Sequence, residues 1–182
     1  MKNIALSFST LLALISNCVH AEVIPSAYLD AANRHGVPPE ILYAVAQQES
    51  NAKLNIGFYP WPWTLNIAGK GAYFSTRQAA CEAAERAIKE KGEKSVDIGL
   101  TQQNWGYIGK SHYSNPCDAL NPYQNLETGA LELRRCFDKR GDWIEAAGCY
   151  HRPAGGKPAE LYKSNISKRL TRFRSNQLST RD

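Results

Sequence analysis

Residues 37–50, Val-Pro-Pro-Glu-Ile-Leu-Tyr-Ala-Val-Ala-Gln-Gln-Glu-Ser, constrain this chain more than any other stretch. Pro38 and Pro39 suit a helix entrance, where a missing N–H leaves no intrahelical bond unmade. Leu42, Val45, Ala46 and Glu49 then recur at i, i+3, i+4 and i+7, which puts a carboxylate on the apolar face. Glu49 also falls near the end of the run, so the negative end of the helix dipole and the apolar surroundings both disfavour its ionised form. A carboxylic acid held protonated near neutrality can serve as a general acid. A surface glutamate at a helix end would leave the same pattern, so the rest of the chain has to decide.

Residues 1–21 read as a secretory leader. Lys2 supplies the positive start, Ile4 to Ile15 an apolar stretch broken only by Ser and Thr, and Val19-His20-Ala21 a small-residue cleavage pattern. Cleavage would start the mature chain at Glu22. The apolar stretch is too short to span a membrane, and nothing later approaches the roughly 20 apolar residues a spanning helix needs. Cys18 would serve a lipoprotein, but Asn17 before it suits that cleavage poorly. A soluble, exported, periplasmic protein is expected. Residues 22–182 make about one domain, long enough to bury a core unaided. Loss of Lys2 lowers the formal net charge from +5 by one. That mild basicity suits anionic envelope polymers or lipid head groups, and serves ordinary solubility equally well.

Cys81, Cys117, Cys136 and Cys149 remain after cleavage, an even number for an oxidising compartment, and two disulfides are expected among three connectivities. The pairing Cys117–Cys149 with Cys81–Cys136 is favoured, because its first bridge would tie a loop to the last core helix. No C-x-x-C pair is present and His35, His112 and His151 are scattered, so neither a metal site nor a cofactor is expected.

Along the mature chain, Ser26–Arg34 reads as a helix with Ser26 at its N-cap and Gly36 beyond its end, packed as a hairpin on the Pro39 helix. Residues 57–74 differ in kind: Pro and Gly punctuate a dense aromatic cluster, and Thr64–Ile67 with Ala72–Phe74 resembles a short β-hairpin. The rings of Tyr59, Trp61 and Trp63 would stack on sugars or fill a small satellite core. Thr76 caps a helix to Lys91, with Ala80, Cys81, Ala84, Ala87 and Ile88 inward and a solvated charged face. Ile98 and Leu100 flanking Gly99 suggest a strand or tight turn, with Gln102, Gln103 and Asn104 available to a ligand. Asn121-Pro122 opens a helix facing inward through Leu126, Ala130, Leu133 and Phe137, and Asp142 caps another over 143–150. A last helix, about 159–174, has Leu161, Tyr162 and Ile166 on one side, followed by a frayed tail over 175–182. The fold expected is one mainly α domain with a small β-hairpin and aromatic insertion.

Three separated pieces resemble the signature of the soluble lytic transglycosylases, relatives of goose-type lysozyme. Glu49-Ser50 matches the Glu-Ser that ends their first motif helix, and Gly99-Leu100-Thr101-Gln102 matches their Gly-Leu-Met-Gln with Thr101 in place of Met. Ala147-Gly148-Cys149-Tyr150 matches their Ala-x-x-Tyr-Asn element, with His151 where Asn is usual. The match runs from about residue 26 to 170. Pro60–Asn66, Val96–Leu100 and Tyr150-His151 look similar to the subgroup carried by conjugative elements, type IV pilus and type IV secretion systems. The longer spacing between the first two motifs marks residues 57–95 as an insertion beside the groove.

The resemblance implies a lysozyme-like α-helical domain that cleaves the β-1,4 bond between N-acetylmuramic acid and N-acetylglucosamine without water, leaving a 1,6-anhydro sugar. It implies that Glu49 is the acid and then the base, that Tyr150 hydrogen-bonds and orients it, and that Ser50 and Gln102 contact substrate. Asp97, Tyr59, Trp61, Trp63 and His151 are further substrate-binding candidates. Asp97 would place a water in a lysozyme-like hydrolysis, or brace a turn in the hairpin. The implied partners are peptidoglycan strands and components of an envelope-spanning conjugation or secretion machine, for a monomer that binds no nucleic acid. A non-catalytic wall-binding scaffold is the competing class, supported by the altered Thr101 and His151 positions.

Overall fold

A computed structural model describes residues 23–55 and 57–178. The expected leader lies outside the described residues, as does the tail from residue 179. The chain is mainly helical with a small β region, as its patterning predicts.

Helices α1 (Ser26–His35) and α2 (Pro39–Glu49) form the expected hairpin, turned by Gly36 at φ 62°. Ser26 is the first helical residue and caps nothing with its side chain; Pro25 takes the N-cap position. After α2 the chain enters two antiparallel hairpins, β1 (Asn51–Leu54) with β2 (Gly57–Pro60), and β3 (Thr64–Ile67) with β4 (Lys70–Tyr73). Ala68 and Gly69 make the second turn, both at positive φ, the backbone that matches strand twist in a two-residue hairpin loop.

The second hairpin is no free-standing insertion. After α3 (Arg77–Lys91), β5 (Val96–Ile98) pairs with β3, and β6 (Gln103–Asn104) pairs with β5, giving a sheet in the order β4-β3-β5-β6. α3 is capped by the Thr76 hydroxyl accepting from the Ala79 N–H, as expected, and buries Ala80, Ala83, Ala84 and Ala87 in one cluster with Leu65, Val96 and Ile98. Alanines on that stripe let helix and sheet approach closely.

A π-helical turn (Trp105–Gly109) runs into the short α4 (Lys110–His112), a stretch with no periodic signal in the sequence. The helices α5 (Pro122–Arg140), α6 (Trp143–His151) and α7 (Lys157–Leu178) follow; Asn121, at the expected helix start, caps the first, and Asp142 caps the second as predicted. They pack with α1 and α2 around Leu42, Val45, Leu126, Leu133 and Ile166, all nearly or fully inaccessible. On α7 the inward residues are Ala159, Tyr162, Ile166 and Leu170; Leu161, expected among them, is exposed. The helix continues to Leu178, through much of the segment expected to fray.

The disulfides are Cys81–Cys117 and Cys136–Cys149, with Cα separations of 4.8 and 5.8 Å, and not the crossed pairing expected. Each bridge joins chain neighbours: Cys136 on α5 faces Cys149 on the next helix across a helical hairpin. Which cysteines meet depends on helix packing, and spacing alone does not encode it. No helix among the described residues is long and apolar enough to cross a membrane.

Candidate active site

Glu49 is the last residue of α2, and its side chain is only 17% exposed. Burial raises its carboxyl to about pH 7, the nearby Asp97 charge adds to the rise, and the Tyr162 hydroxyl works against it. That hydroxyl is buried beside the carboxyl and makes no other hydrogen bond; its approach to Glu49 falls short of full hydrogen-bond geometry. The His151 ring stacks on Tyr162 with centroids 4.4 Å apart and planes 8° from parallel, and its Nδ1 lies 4.0 Å from Glu49 Oε1. Burial and the neighbouring Arg152 charge hold the His151 imidazole below its usual range.

Two expected roles are reassigned. Ser50 is fully buried and outside the cleft lining: its one hydroxyl hydrogen faces Leu100 O at 2.8 Å and Ala46 O at 3.0 Å, so it clips the end of α2 to the Gly99–Gln102 turn. The Tyr150 hydroxyl donates to Thr101 O at 2.6 Å rather than to Glu49. Tyr150 therefore holds the turn, and Tyr162, from a helix without a motif, faces the carboxyl. A polar tip among apolar residues on α7 was the only sequence signal for it.

The turn is over-determined. Gly99 has φ 86°, and a Cβ there would sit 2.9 Å from Ala119 O and 2.7 Å from Asn125 Cγ, so only glycine fits. Asn125, fully buried, accepts from Thr101 N–H and Thr101 Oγ1 (both 2.9 Å) and donates to Ile98 O and Ala119 O (3.0 and 2.9 Å). Gln103 joins by donating to Thr101 Oγ1 and Asn125 O and accepting from the Tyr113 hydroxyl at 2.5 Å. Burial pushes that phenol up to about 12, so it stays a donor. Thr101 occupies the position where the motif has Met, and it lies against Gly129, where a Cβ would be 2.7 Å from Thr101 Oγ1 and Cγ2. Its hydroxyl both donates to Asn125 Oδ1 and accepts from Gln103 Nε2.

Gln102 has φ 46°, an uncommon conformation for a residue with a Cβ and one found where surrounding contacts enforce it. Its Nε2 donates to Thr64 O at 3.0 Å and Gly99 O at 2.7 Å. Both amide hydrogens are thus spent on the fold, and Oε1 is the atom with which it can accept from a ligand.

Asp97 lies across from Asn66 on β3 and Asn104 on β6, in direct register on both sides. Cross-strand partners share a sheet face, so the three side chains form a row. Asp97 Oδ2 accepts from Asn66 Nδ2 at 3.1 Å and Oδ1 from Asn104 Nδ2 at 2.8 Å. Burial raises the Asp97 carboxyl above its ordinary value, and the two amides, Asn104 foremost, limit the rise. Neither asparagine could be assigned this role before the register of β3 on β5 was known.

These groups border one cleft of about 870 Å³. Glu49, Tyr150 and His151 line it from the helical side, and Asn66, Asp97 and Gln102 from the sheet. Tyr73 and Tyr107, 54% and 67% exposed and unassigned by the sequence reading, also line it, with Lys94 Nζ over the Tyr107 ring at 4.9 Å. The expected aromatic binders lie elsewhere. Tyr59 sits on β2, away from the cleft lining. Trp61 borders a separate hollow of about 410 Å³ with Lys53 and Phe74, its Nε1 donating to Phe74 O at 2.7 Å. Trp63 meets Trp61 edge-on and packs on the cluster beneath α3. Of the three only Trp63 joins the satellite core, and Tyr59 is exposed; Tyr73 alone borders both hollows.

Among the described residues the one grouping of metal-ligating side chains is Cys81, Glu85 and Cys117, and its two sulfurs are joined as a disulfide, so no thiolate is available to an ion. A scan against protein-family models and a search of curated proteins returned no match.

Proposed function

We propose that this chain is an exported, periplasmic peptidoglycan lytic transglycosylase with a lysozyme-like fold, acting as a monomer on glycan strands in service of an envelope-spanning conjugation or secretion machine. The observation that carries this reading is the buried carboxyl of Glu49 at the wall of the cleft, held protonated up to about pH 7. Glu49 gives its proton to the glycosidic oxygen as the C1–O bond breaks, and the leaving sugar departs as an alcohol. The substrate's 2-acetamido group supports the cationic C1. The Glu49 carboxylate then takes the proton of the muramoyl 6-hydroxyl as O6 closes on C1, which restores the acid. Gln102 Oε1 is placed to accept from a substrate hydroxyl or amide. Mass spectrometry of sacculus digests tests the reading: wild type should release 1,6-anhydro-muropeptides and Glu49→Gln none, while a digest containing only reducing ends would overturn it.

The Asp97 row favours a second reading, a lysozyme-like hydrolase. A carboxylate fixed through both oxygens on the sheet side is suited to stabilise C1 or place a water. Reducing-end products, lost on Asp97→Asn, would mark it.

A further inference from the structure

Arg152 is the only lysine or arginine among the described residues lining the cleft. Its backbone is pinned at the rim: its N–H donates to Gly148 O, closing α6, and its carbonyl accepts from Gly155 N–H, both at 2.9 Å. The next residues, Pro153 and Ala154, also line the cleft, and Arg140 reaches Pro153 O at 3.4 Å to hold that turn. The acids nearby are already matched. Glu145 and Glu160 share Lys163 at 2.7 and 2.8 Å, and Glu132 is engaged by His112 and Arg135. No ion pair or hydrogen bond holds the Arg152 guanidinium among the described residues. Solvation accounts for an exposed arginine at a helix end, but not for its place as the one lysine or arginine among the described linings of a cleft whose carboxyl groups are those of Glu49, Asp97 and Glu132.

We propose that Arg152 forms a carboxylate-binding subsite at the rim, which recognises the acidic substituents of the glycan rather than its sugar rings. The inference rests on the glycan-cleaving reading above. A guanidinium matches a carboxylate with two parallel N–H donors, and the lactyl-linked stem peptides of peptidoglycan supply carboxylates beside the sugars that chitin lacks.

Binding is measured on Glu49→Gln protein, so that it reads independently of cleavage, with and without Arg152→Glu. The probes are uncrosslinked glycan strands bearing stem peptides, the same strands after amidase removal of the stems, and neutral N-acetylglucosamine hexamer. Arg152→Glu should lower affinity for stem-bearing strands about fivefold more than for the hexamer, as expected for an exposed ionic contact. Arg152→Lys should recover part of the loss, and raised salt should erase the difference. Amidase removal frees the lactyl carboxyl that the stem's amide bond masks, so disappearance of the effect on amidase-treated strands assigns the ligand to the stem-peptide carboxylates, and its persistence shows that the subsite accepts a carboxylate carried directly on the lactyl group. An equal loss on all three probes, or no loss on strands, overturns the subsite. Failure of wild-type protein to cleave sacculi, with these differences intact, overturns the catalytic reading instead.

Discussion

His151 Nδ1 stands 4.0 Å from Glu49 Oε1, too far for a hydrogen bond, while the same ring lies flat on Tyr162. The two rings, one from α6 and one from α7, shield a carboxyl at the end of α2 from water. Burial and the Arg152 charge hold the imidazole below its usual range, which weakens any help it gives to a charge on Glu49. The carboxyl therefore keeps its proton to about pH 7.

On the proposed glycan-cleaving reading the acid form of Glu49 is the competent one, so muralytic activity should fall as pH rises through about 7. The Tyr162 hydroxyl lowers that titration, so Tyr162→Phe, which keeps the ring under His151, should move the alkaline limb to higher pH. Rate profiles on purified sacculi measure both; a limb that stays in place would remove Tyr162 from the site.

Stability carries the same signature. Glu49 titrates higher folded than unfolded, so between its unfolded value of 4.5 and about 7 the native state binds more protons, and stability decreases as pH rises. Glu49→Gln removes that loss. The variant should melt above wild type at pH 8, by at most about 3 kcal/mol, with the gap closing towards pH 4.5. Melting curves at the two pH values check it, and a variant less stable at pH 8 would contradict the burial of Glu49.

Asp97→Asn replaces an acceptor with an amide that must turn its N–H₂ towards Asn66 or Asn104, both donors. A cost of about 1–3 kcal/mol is expected for the unmatched pair. The transglycosylase reading uses no second carboxylate, so the folded variant should retain much of its activity. Near-complete loss, with the melting transition still cooperative, would favour the hydrolase.

Gly129→Ala drives a Cβ to within 2.7 Å of Thr101, whose hydroxyl and amide are both tied to Asn125. Overpacking of about 1–3 kcal/mol is expected. Because Gln102 follows Thr101 directly, the shift should also lower activity on sacculi at a temperature where variant and wild type are both fully folded. Wild-type activity in the folded variant would separate the Thr101 network from the site.

Periodicity and capping chemistry are local, and what depends on them was legible in the chain: the helices of residues 26–49, 77–91 and 122–151, the helix start at Asn121-Pro122, the Asp142 and Thr76 caps, a strand or tight turn around Gly99, and the placement of Glu49 on the apolar helix face. Contacts between distant segments were not. Cys136 meets Cys149 because α5 and α6 pack as a hairpin, Asp97 acquires its two amides because β3 pairs with β5 across 31 residues, and Tyr162 reaches Glu49 because α7 packs against α2. Side-chain partners on different elements depend on register and helix rotation, which cooperative packing of the whole core decides. Glu49 and Asp97, which both line the cleft, were thus marked by the sequence, while the tertiary structure alone decided which neighbour acts on each.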